Sequence, residues 1–364
     1  MADRLHFLPM KEMPMLAARL VALLLLPLSM APAWAQAPVT QAVAAPDNLR
    51  DVPLNAMRVL GSHNSYRPAP SEADLASLRA WLGDRAAGVE YGHLPIAQQL
   101  DLGLRQLEFD PYADPKGGLF AAPHAGNPAA HAEMLRPGAK VLHAPVVDAG
   151  TLCLSLEGCF AEVKAWSDAH PGHHPITIFV NVRDEPFADP RMPKIAPFDE
   201  AALAALDASA QTIFGRDHII APDDVRGSRP TLRAGVTGGG WPKINASAGK
   251  VMLVLDSSPK IAQTYRQGHA SLRGRMMFAF YPEGDAEASI FNLQDPVAEE
   301  TRAKALVAQG FMVRTRADAD TREARAKDYS RLAAALRSGA QIISTDYYAG
   351  APDPLHLGFT VRLP

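Results

Sequence analysis

Eight short apolar runs, separated by longer stretches, most constrain what this chain can fold into. Each run has the length and apolar content of a buried β-strand. The runs are Met57 to Leu60, Leu104 to Phe109, Lys140 to Leu142, Ile176 to Val182, Val251 to Leu255, Met276 to Phe280, Phe311 to Val313 and Gln341 to Ser344. The connections between them decide how eight such strands pair.

Several of these connections have the apolar periodicity of amphipathic helices. They are Ala73 to Trp81, Leu156 to Trp166, Glu200 to Ile213, Val297 to Ala308 and Asp320 to Leu336. Parallel strands need crossovers of about a dozen residues or more, usually helices. The alternation therefore predicts an α/β chain with a single (β/α)₈ TIM barrel over 51–364. The long stretch 183–250 is expected to be an elaborated insertion, and its glycine run Thr237 to Pro242 a turn.

The first 35 residues are typical of a signal peptide. Basic residues precede the apolar run Leu20 to Leu28, and Ala33 and Ala35 supply the small residues of a cleavage site. The run is shorter than the roughly 20 residues that span a bilayer. We expect cleavage after residue 35, a flexible lead-in over 36–50, and a secreted or periplasmic protein.

Cysteine usage fits an oxidising compartment. Cys153 and Cys159 are the only cysteines, and two cysteines this close in sequence most simply form one small-loop disulfide. Two buried free thiols are the alternative. The 36 basic and 39 acidic side chains give a formal net charge of -3, so the chain lacks the basic footprint of a nucleic-acid binder. Nothing in the sequence indicates an obligate protein partner.

Polar residues stand where the predicted strands end. They are His63, Asn64, Glu108, Asp110, His143 and Asn181. Chemistry in a (β/α)₈ barrel sits at the C-terminal ends of the strands. Strand alternation places Glu108 and Asp110 on one face, and a barrel directs such end residues toward a common axis. The sequence therefore predicts one polar site built from four strand ends.

Two histidines beside an oxygen-rich acidic cluster fit the cleavage of a phosphate diester. Carboxylate and amide oxygens suit Ca²⁺ or another hard divalent cation, which would neutralise the phosphoryl oxygens. The candidate ligands are Asn64, Glu108, Asp110 and Asn181. One histidine would pass a proton to the leaving group, and the other would stabilise the pentacoordinate phosphorus. Zinc is less well supported, because no His-Glu-x-x-His motif is present.

Three motifs resemble the catalytic X region of phosphoinositide-specific phospholipases C. They are Gly-Ser-His-Asn-Ser-Tyr at 61–66, Arg-Gln-Leu-Glu-Phe-Asp at 105–110 and Val-Leu-His at 141–143. Other segments resemble the secreted bacterial and fungal branch of Ca²⁺-dependent phosphatidylinositol phospholipases C. These segments are Tyr91 to His93, Asp110 to Pro115, Val313 to Asp318 and Ser338 to Tyr347.

The resemblance implies a barrel of the phospholipase C-like phosphodiesterase type. It assigns phosphorane stabilisation to His63, acid/base work at the leaving diacylglycerol oxygen to His143, and Ca²⁺ binding to Asn64, Glu108 and Asp110. The implied substrate is a phosphatidylinositol-type phospholipid or inositol phosphodiester, and the implied products are diacylglycerol and a cyclic or hydrolysed inositol phosphate. Transient contact with a membrane surface is implied as well.

One candidate ligand departs from the family pattern. The fourth ligand is typically a glutamate, and Asn181 stands at the matching position. An amide oxygen still binds Ca²⁺, but it supplies no charge and cannot act as a general base. Asp184 is a candidate to compensate.

Five further residues are candidates for substrate binding. They are Arg183, Arg314, Arg316, Asp346 and His124. Arg314 and Arg316 suit either bidentate contact with phosphate or structural ion pairs. His124 competes with His143 for the second catalytic role, and we favour His143 because it directly follows an apolar strand.

Two rival functions remain open at this point. One is a glycerophosphodiester phosphodiesterase or a sphingomyelinase-D-like enzyme on the same barrel. Such enzymes generally carry His-Arg-Gly at the first strand, whereas this chain has His63-Asn64-Ser65. The other is a binding protein that has lost turnover, which Asn181 suggests and the retention of both histidines argues against.

Overall fold

Eight parallel strands form the central sheet of the protein, and a separate two-stranded hairpin accompanies it. The structure is a computed structural model that describes residues 52–187 and 192–364. The predicted leader over 1–35 and lead-in over 36–50 therefore lie outside the described residues. The strands are β1 Val59–Ser62, β2 Gln106–Phe109, β3 Pro111–Asp114, β4 Gly138–Val141, β5 Ile176–Asn181, β6 Val251–Asp256, β7 Met277–Ala279, β8 Ile290–Asn292, β9 Met312–Arg316 and β10 Ile342–Thr345.

The order of the strands closes most of a barrel. It runs β7, β6, β5, β2, β1, β10, β9, β8, with every pair parallel. The first and last strands of that order, β7 and β8, are consecutive along the chain, so the sheet curls into a nearly closed barrel. The predicted (β/α)₈ TIM barrel is confirmed.

Eleven α-helices lie in the described residues. They are α1 Glu72–Leu82, α2 Ile96–Asp101, α3 Pro128–Met134, α4 Leu156–Ala169, α5 Glu200–Phe214, α6 Pro222–Arg226, α7 Leu232–Thr237, α8 Pro259–Arg266, α9 Glu300–Ala308, α10 Arg322–Ala326 and α11 Ser330–Ser338. Side-chain caps explain several starts: the Ser71 and Asp74 side chains form a capping box at α1, and Ser155 caps α4. None of the described helices is long and apolar enough to cross a bilayer.

One predicted helix is divided. The stretch Asp320 to Leu336 forms α10 and α11, and Lys327 between them has a left-handed backbone with φ 53°. The insertion over 183–250 carries α5, α6 and α7, and the glycine run after α7 is a turn, as predicted.

One predicted barrel strand is wrong. The run Lys140 to Leu142 overlaps β4, which pairs antiparallel with β3 outside the barrel. The strand that completes the barrel is β8, whose three residues Ile290, Phe291 and Asn292 are too few to form a recognisable pattern. The count of eight was right because one false strand replaced one missed strand.

The hairpin brings the chain back to the end of β2. Strand β3 begins directly after Asp110, and β4 places Val141 opposite Pro111. The Leu142 amide donates to the Asp110 carbonyl oxygen at 3.4 Å. His143 consequently lies beside the end of β2, although it does not end a barrel strand.

The disulfide prediction is confirmed. Cys153 and Cys159 are bonded, with their Cα atoms 5.2 Å apart. Cys159 is a buried residue of α4, and Cys153 lies in the loop that follows the hairpin. The bond therefore ties the loop after His143 to the first turn of α4.

Candidate active site

The first histidine is held between a carboxylate and a tyrosine. His63 follows β1, and its Nδ1 lies 3.1 Å from Asp346 Oδ1 and 3.3 Å from the Tyr91 hydroxyl. Asp346 follows β10 and is fully buried, and its Oδ2 also accepts a hydrogen bond from Arg316 Nη2 at 3.0 Å. Burial, followed by the charge of Arg316, holds the pKa of His63 well below its ordinary value, against an opposing effect of Glu108.

A third histidine supports the first from behind. His93 is buried, and its Nε2 lies 2.6 Å from the His63 carbonyl oxygen. Its ring stacks on Tyr348 at a centroid distance of 5.6 Å. Burial lowers the pKa of His93 to about 4, against the opposing charge of Asp346, so its neutral ring donates Nε2–H to the carbonyl oxygen. Gly92 lets the chain just before His93 pass close to the backbone of Ala69, because a Cβ at Gly92 would lie 2.1 Å from the Ala69 nitrogen.

The second histidine has a carboxylate partner of its own. His143 Nδ1 lies 2.8 Å from Asp148 Oδ2, and the same oxygen accepts a hydrogen bond from Arg67 Nε at 2.7 Å. Arg67 is fully buried and also donates to the Tyr91 carbonyl oxygen. Burial alone would raise the pKa of Asp148, but the hydrogen bond from His143 and the charge of Arg67 lower it.

An acidic cluster lies at the end of β2, beside β1 and the loop that carries His143. It consists of Glu108 and Asp110, both buried. Glu108 Oε2 accepts a hydrogen bond from Arg314 Nη2 at 2.6 Å. Asp110 accepts one from Asn181 Nδ2 at 3.1 Å and forms an ion pair with Arg183 at 3.4 Å. Burial, followed by the charge of Glu108, raises the pKa of Asp110 to about 7.

A further carboxylate adds to the negative charge of this region. Asp256 ends β6, and its Oδ2 accepts a hydrogen bond from Asn292 of β8 at 2.9 Å. Burial and then the charge of Glu108 raise its pKa to about 7. Asn292 also accepts from Arg314 Nη1 at 3.1 Å, so these residues form one network with the acidic cluster.

The predicted ligand set suits a hard cation by its chemistry. All four side chains offer oxygen, the ligand atom that hard divalent cations prefer. The Asn64 amide donates its Nδ2 to the Tyr91 hydroxyl at 3.0 Å, and Asn181 donates its Nδ2 to Asp110, so neither of these hydrogen bonds uses an amide oxygen. Across 52–187 and 192–364, no three His, Cys, Asp or Glu side chains come together as a metal-binding group; the set contributes two carboxylates and two amides.

The predicted arginines lie in the site and are engaged in ion pairs. Arg314 bridges Glu108, Asn292 and Ser344. Arg316 pairs with Asp346, and its buried Nε has no hydrogen-bond partner among the described residues. The Arg183 side chain is 41% exposed, the most accessible of the three. The structure shows the ion pairs of Arg314 and Arg316, and their contact with phosphate stays a prediction.

His124 is not brought to the cluster by any described contact. It ends a short 3-10 helix between β3 and β4, and it interacts with His131. Burial and then the charge of His131 lower its pKa. The geometry therefore favours His143 over His124 for the second histidine role.

Several residues of the site were not predicted from the sequence. Arg67 and Asp148 carry no motif signal, and their pairing with His143 depends on the path of the hairpin. Asp318 accepts hydrogen bonds from the Asp346 amide, at 2.9 Å, and from the Thr345 hydroxyl, so it orients Asp346. Asp318 lies in the Arg-Thr-Arg-Ala-Asp segment at 314–318, whose resemblance to the family could have indicated that Asp318 belongs to the site.

Solved structures with the same fold are phospholipases C. A calcium-dependent phosphoinositol-specific phospholipase C from a Pseudomonas species superimposes with a TM-score of 0.54 at 17% identity, covering 84% of this chain and 94% of that one. A Ca²⁺-dependent phosphatidylinositol-specific phospholipase C from Streptomyces antibioticus gives a TM-score of 0.52 at 18% identity, covering 82% and 95%. At these identities the likeness shows the fold alone, a (β/α)₈ barrel.

The sequence itself identifies the family. Residues 52–364 match the model of the family described as phosphoinositide phospholipase C, Ca²⁺-dependent. A search of curated proteins found no significant match. The chain belongs to the Ca²⁺-dependent phosphoinositide phospholipase C family, and the resemblance in its motifs is confirmed.

Proposed function

We propose that this protein is an exported phosphodiesterase that cleaves phosphatidylinositol-type phospholipids into diacylglycerol and a cyclic or hydrolysed inositol phosphate. The observation that carries the proposal is the pair of histidines, each hydrogen-bonded through Nδ1 to its own carboxylate. A carboxylate at Nδ1 orients the imidazole and leaves Nε2 for the substrate. Family membership supports the substrate class.

The residues divide the labour of phosphoryl transfer. An inositol hydroxyl attacks phosphorus, and its proton passes to a carboxylate of the acidic cluster. The bond from phosphorus to the diacylglycerol oxygen breaks, and His143 supplies the proton that this leaving oxygen needs. His63 and the neighbouring Arg316 stabilise the negative charge of the phosphorane.

The acidic cluster supplies the cation-binding part of the proposal. Asn64, Glu108, Asp110 and Asn181 would hold Ca²⁺ or another divalent cation, which when bound neutralises phosphoryl charge and makes the attacking hydroxyl more acidic. Because Asn181 brings no charge where the family typically has glutamate, we expect weaker metal binding than a third carboxylate would give. Arg183 and Asp346 complete the proposed substrate contacts.

The proposed location is outside the cytoplasm. It rests on the signal-peptide pattern over 1–35 and is supported by the Cys153–Cys159 disulfide, since such bonds persist in oxidising compartments. The proposed partners are the lipid substrate and, transiently, the membrane surface that carries it.

The decisive experiment measures release of water-soluble inositol phosphate from phosphatidylinositol by the purified protein. Ca²⁺ is titrated against a chelator, and glycerophosphoinositol and lysophosphatidylcholine are tested in parallel. Calcium-dependent release from phosphatidylinositol is the expected result. Cleavage of the parallel substrates alone would move the assignment to the glycerophosphodiesterase or sphingomyelinase-D-like enzymes, and no turnover with any divalent metal would indicate a binding protein.

A further inference from the structure

The Tyr91 hydroxyl lies between two residues that have different roles in the proposed reaction. It accepts a hydrogen bond from Nδ2 of the candidate metal ligand Asn64 at 3.0 Å, and it lies 3.3 Å from Nδ1 of His63. A hydroxyl has one proton and two lone pairs, so a single oxygen atom can serve both contacts. The proposed reaction assigns no role to Tyr91.

The loop that carries Asn64 is fixed to the end of β2. The Ser65 amide donates to the Glu108 carbonyl oxygen at 2.9 Å, and the Glu108 amide donates to Ser65 Oγ at 2.8 Å. Asn64 itself has a left-handed backbone with φ 49°, a conformation that asparagine adopts more readily than most residues. The backbone therefore fixes where the Asn64 side chain begins, but its amide plane still has to be oriented by a side-chain contact.

The hydrogen bond to Tyr91 supplies that orientation. Asn64 is 3% exposed, and its Nδ2 makes no other hydrogen bond within the described part of the chain. Torsions that end in a planar amide are broad and roughly two-fold, so an amide without a partner can turn over. An amide that turns over exchanges its oxygen, the atom that a hard cation binds, for an NH₂ group that cannot bind one. The contact with Tyr91 therefore keeps the ligand oxygen in one position.

Tyr91 is held in place by contacts that do not involve its hydroxyl. Its side chain is buried, and the Arg67 guanidinium lies over its ring, 4.9 Å from the centroid. The Tyr91 carbonyl oxygen accepts a hydrogen bond from the same guanidinium, and the His93 amide donates to the Arg67 carbonyl oxygen at 2.9 Å. The ring and the backbone thus set the position of the hydroxyl relative to the loop after β1.

We propose that Tyr91 is a positioning residue whose hydroxyl holds the metal ligand Asn64 and the imidazole of His63 in one arrangement. The inference rests on the proposed function and adds a residue to it. Partners that orient metal ligands typically change metal affinity by about 10- to 100-fold. Because the same oxygen contacts His63, loss of the hydroxyl should affect both metal binding and the step at phosphorus.

The informative variant is Tyr91→Phe, which removes one oxygen atom and keeps the ring beneath Arg67. Ca²⁺ binding is measured by calorimetry on the purified protein without substrate, and inositol phosphate release from phosphatidylinositol is measured across a Ca²⁺ titration. The dissociation constant for Ca²⁺ should rise by about 10- to 100-fold. At saturating Ca²⁺, kcat should fall by about two- to ten-fold, the size of one neutral hydrogen bond, while KM for the lipid changes by less than about two-fold.

The matched control is Tyr265→Phe, which also removes a hydroxyl from a buried tyrosine. The Tyr265 hydroxyl donates to Asp207 at 2.6 Å and accepts from the Met277 amide at 3.1 Å. Met277 begins β7, whereas the proposed site lies at the other ends of the strands. The control should lose thermal stability as Tyr91→Phe does, but it should keep the wild-type Ca²⁺ affinity and kcat.

The possible results separate Tyr91 from the function on which it depends. Wild-type Ca²⁺ affinity in Tyr91→Phe overturns the inference and leaves the phospholipase activity standing. An equal loss of affinity in Tyr265→Phe traces the effect to general destabilisation and overturns the inference as well. An unchanged kcat at saturating Ca²⁺ overturns the part that concerns His63.

Two further results concern the proposed function itself. Weaker Ca²⁺ binding in Tyr91→Phe alone supports the positioning of Asn64 even if the wild-type protein does not cleave phosphatidylinositol, and then only the proposed function fails. Absence of Ca²⁺ binding by the wild-type protein overturns both the cation-binding part of that function and the role of Tyr91.

Discussion

A carboxylate beside each histidine decides what that imidazole can do. His63 Nδ1 pairs with Asp346, and His143 Nδ1 pairs with Asp148. The two environments differ, because Asp346 is completely buried whereas the Asp148 side chain is 10% exposed. The difference suits two separate roles for the histidines, one at phosphorus and one at the leaving group.

Replacing either histidine should abolish most of the activity. His63→Ala and His143→Ala should each lower kcat by at least about 10², the usual size of an acid/base contribution, while the fold stays intact. Inositol phosphate release and thermal unfolding should be measured together. His218→Ala, an exposed histidine before β6, is the matched control. Near-wild-type turnover in either variant would remove that histidine from the mechanism.

Asp148 is expected to act as a positioning residue for His143. Asp148→Asn removes the charge opposite the imidazole, so kcat should fall by about ten-fold or more. The high-pH limb of the pH–rate profile should also move to lower pH, because the protonated general acid loses its counter-charge. The control is Asp168→Asn, which changes a surface ion pair with Lys164. A lower kcat with an unmoved pH profile would show that Asp148 serves only to hold the loop.

The hairpin of β3 and β4 is the element that completes the site. It brings His143 back to Asp110 without adding a strand to the barrel. After the hairpin, the Leu152 amide donates to the Tyr66 carbonyl oxygen at 2.7 Å, and the disulfide then fixes the loop to α4. The loop that holds Asp148 is therefore anchored at both ends.

Removing the disulfide should destabilise the protein moderately. Closing a loop with a sequence separation of 6 is worth about 2 kcal/mol in the chain-entropy account. Cys153→Ser combined with Cys159→Ser should lower the free energy of unfolding by that amount, as measured by urea denaturation. Reducing agent should have the same effect on the wild type and none on the double variant. Equal stability of wild type and double variant without reductant would contradict this account.

At the scale of the whole molecule, the barrel concentrates buried charge along its axis. Burial, followed by the charge of Asp346, raises the pKa of Asp318 to about 7. The ordinary aspartate value is about 3.9 in an unfolded chain. A raised carboxyl pKa means that the folded state binds the proton more tightly, so this group stabilises the fold below its unfolded pKa, and that stabilisation is lost as the pH rises through about 7.

The stability of the whole protein should therefore decline between about pH 4 and about pH 7 in part because of Asp318, and this contribution should level off by pH 8. Asp318→Asn keeps the shape of the side chain but cannot ionise, so its decline should be smaller by about 1–3 kcal/mol. Denaturant unfolding at pH 5, 6, 7 and 8 measures both slopes. Asp353→Asn, which alters a carboxylate on the C-terminal segment, is the control. Parallel slopes in the wild type and Asp318→Asn would refute the assignment.

The sequence by itself determined the class of fold, most of its elements and the family. Apolar periodicity is a local property, so it predicted seven of the eight barrel strands and the helices α1, α4 and α5 nearly to their ends. The motif at 61–66 and the carboxylates at the end of β2 are local patterns too, because each lies at the end of one strand. They therefore predicted the core of the site. The close spacing of Cys153 and Cys159 likewise predicted their bond.

Only the tertiary structure decided which strand completes the barrel and which partners surround the histidines. His63 and Asp346 are 283 residues apart, and Arg314 and Glu108 are 206 residues apart, so no local pattern reports these contacts. The three residues of β8 become a strand because β9 lies beside them. The physical reason is that a parallel barrel brings together ends of strands that are remote in sequence, so the charges that tune each group come from elsewhere in the chain.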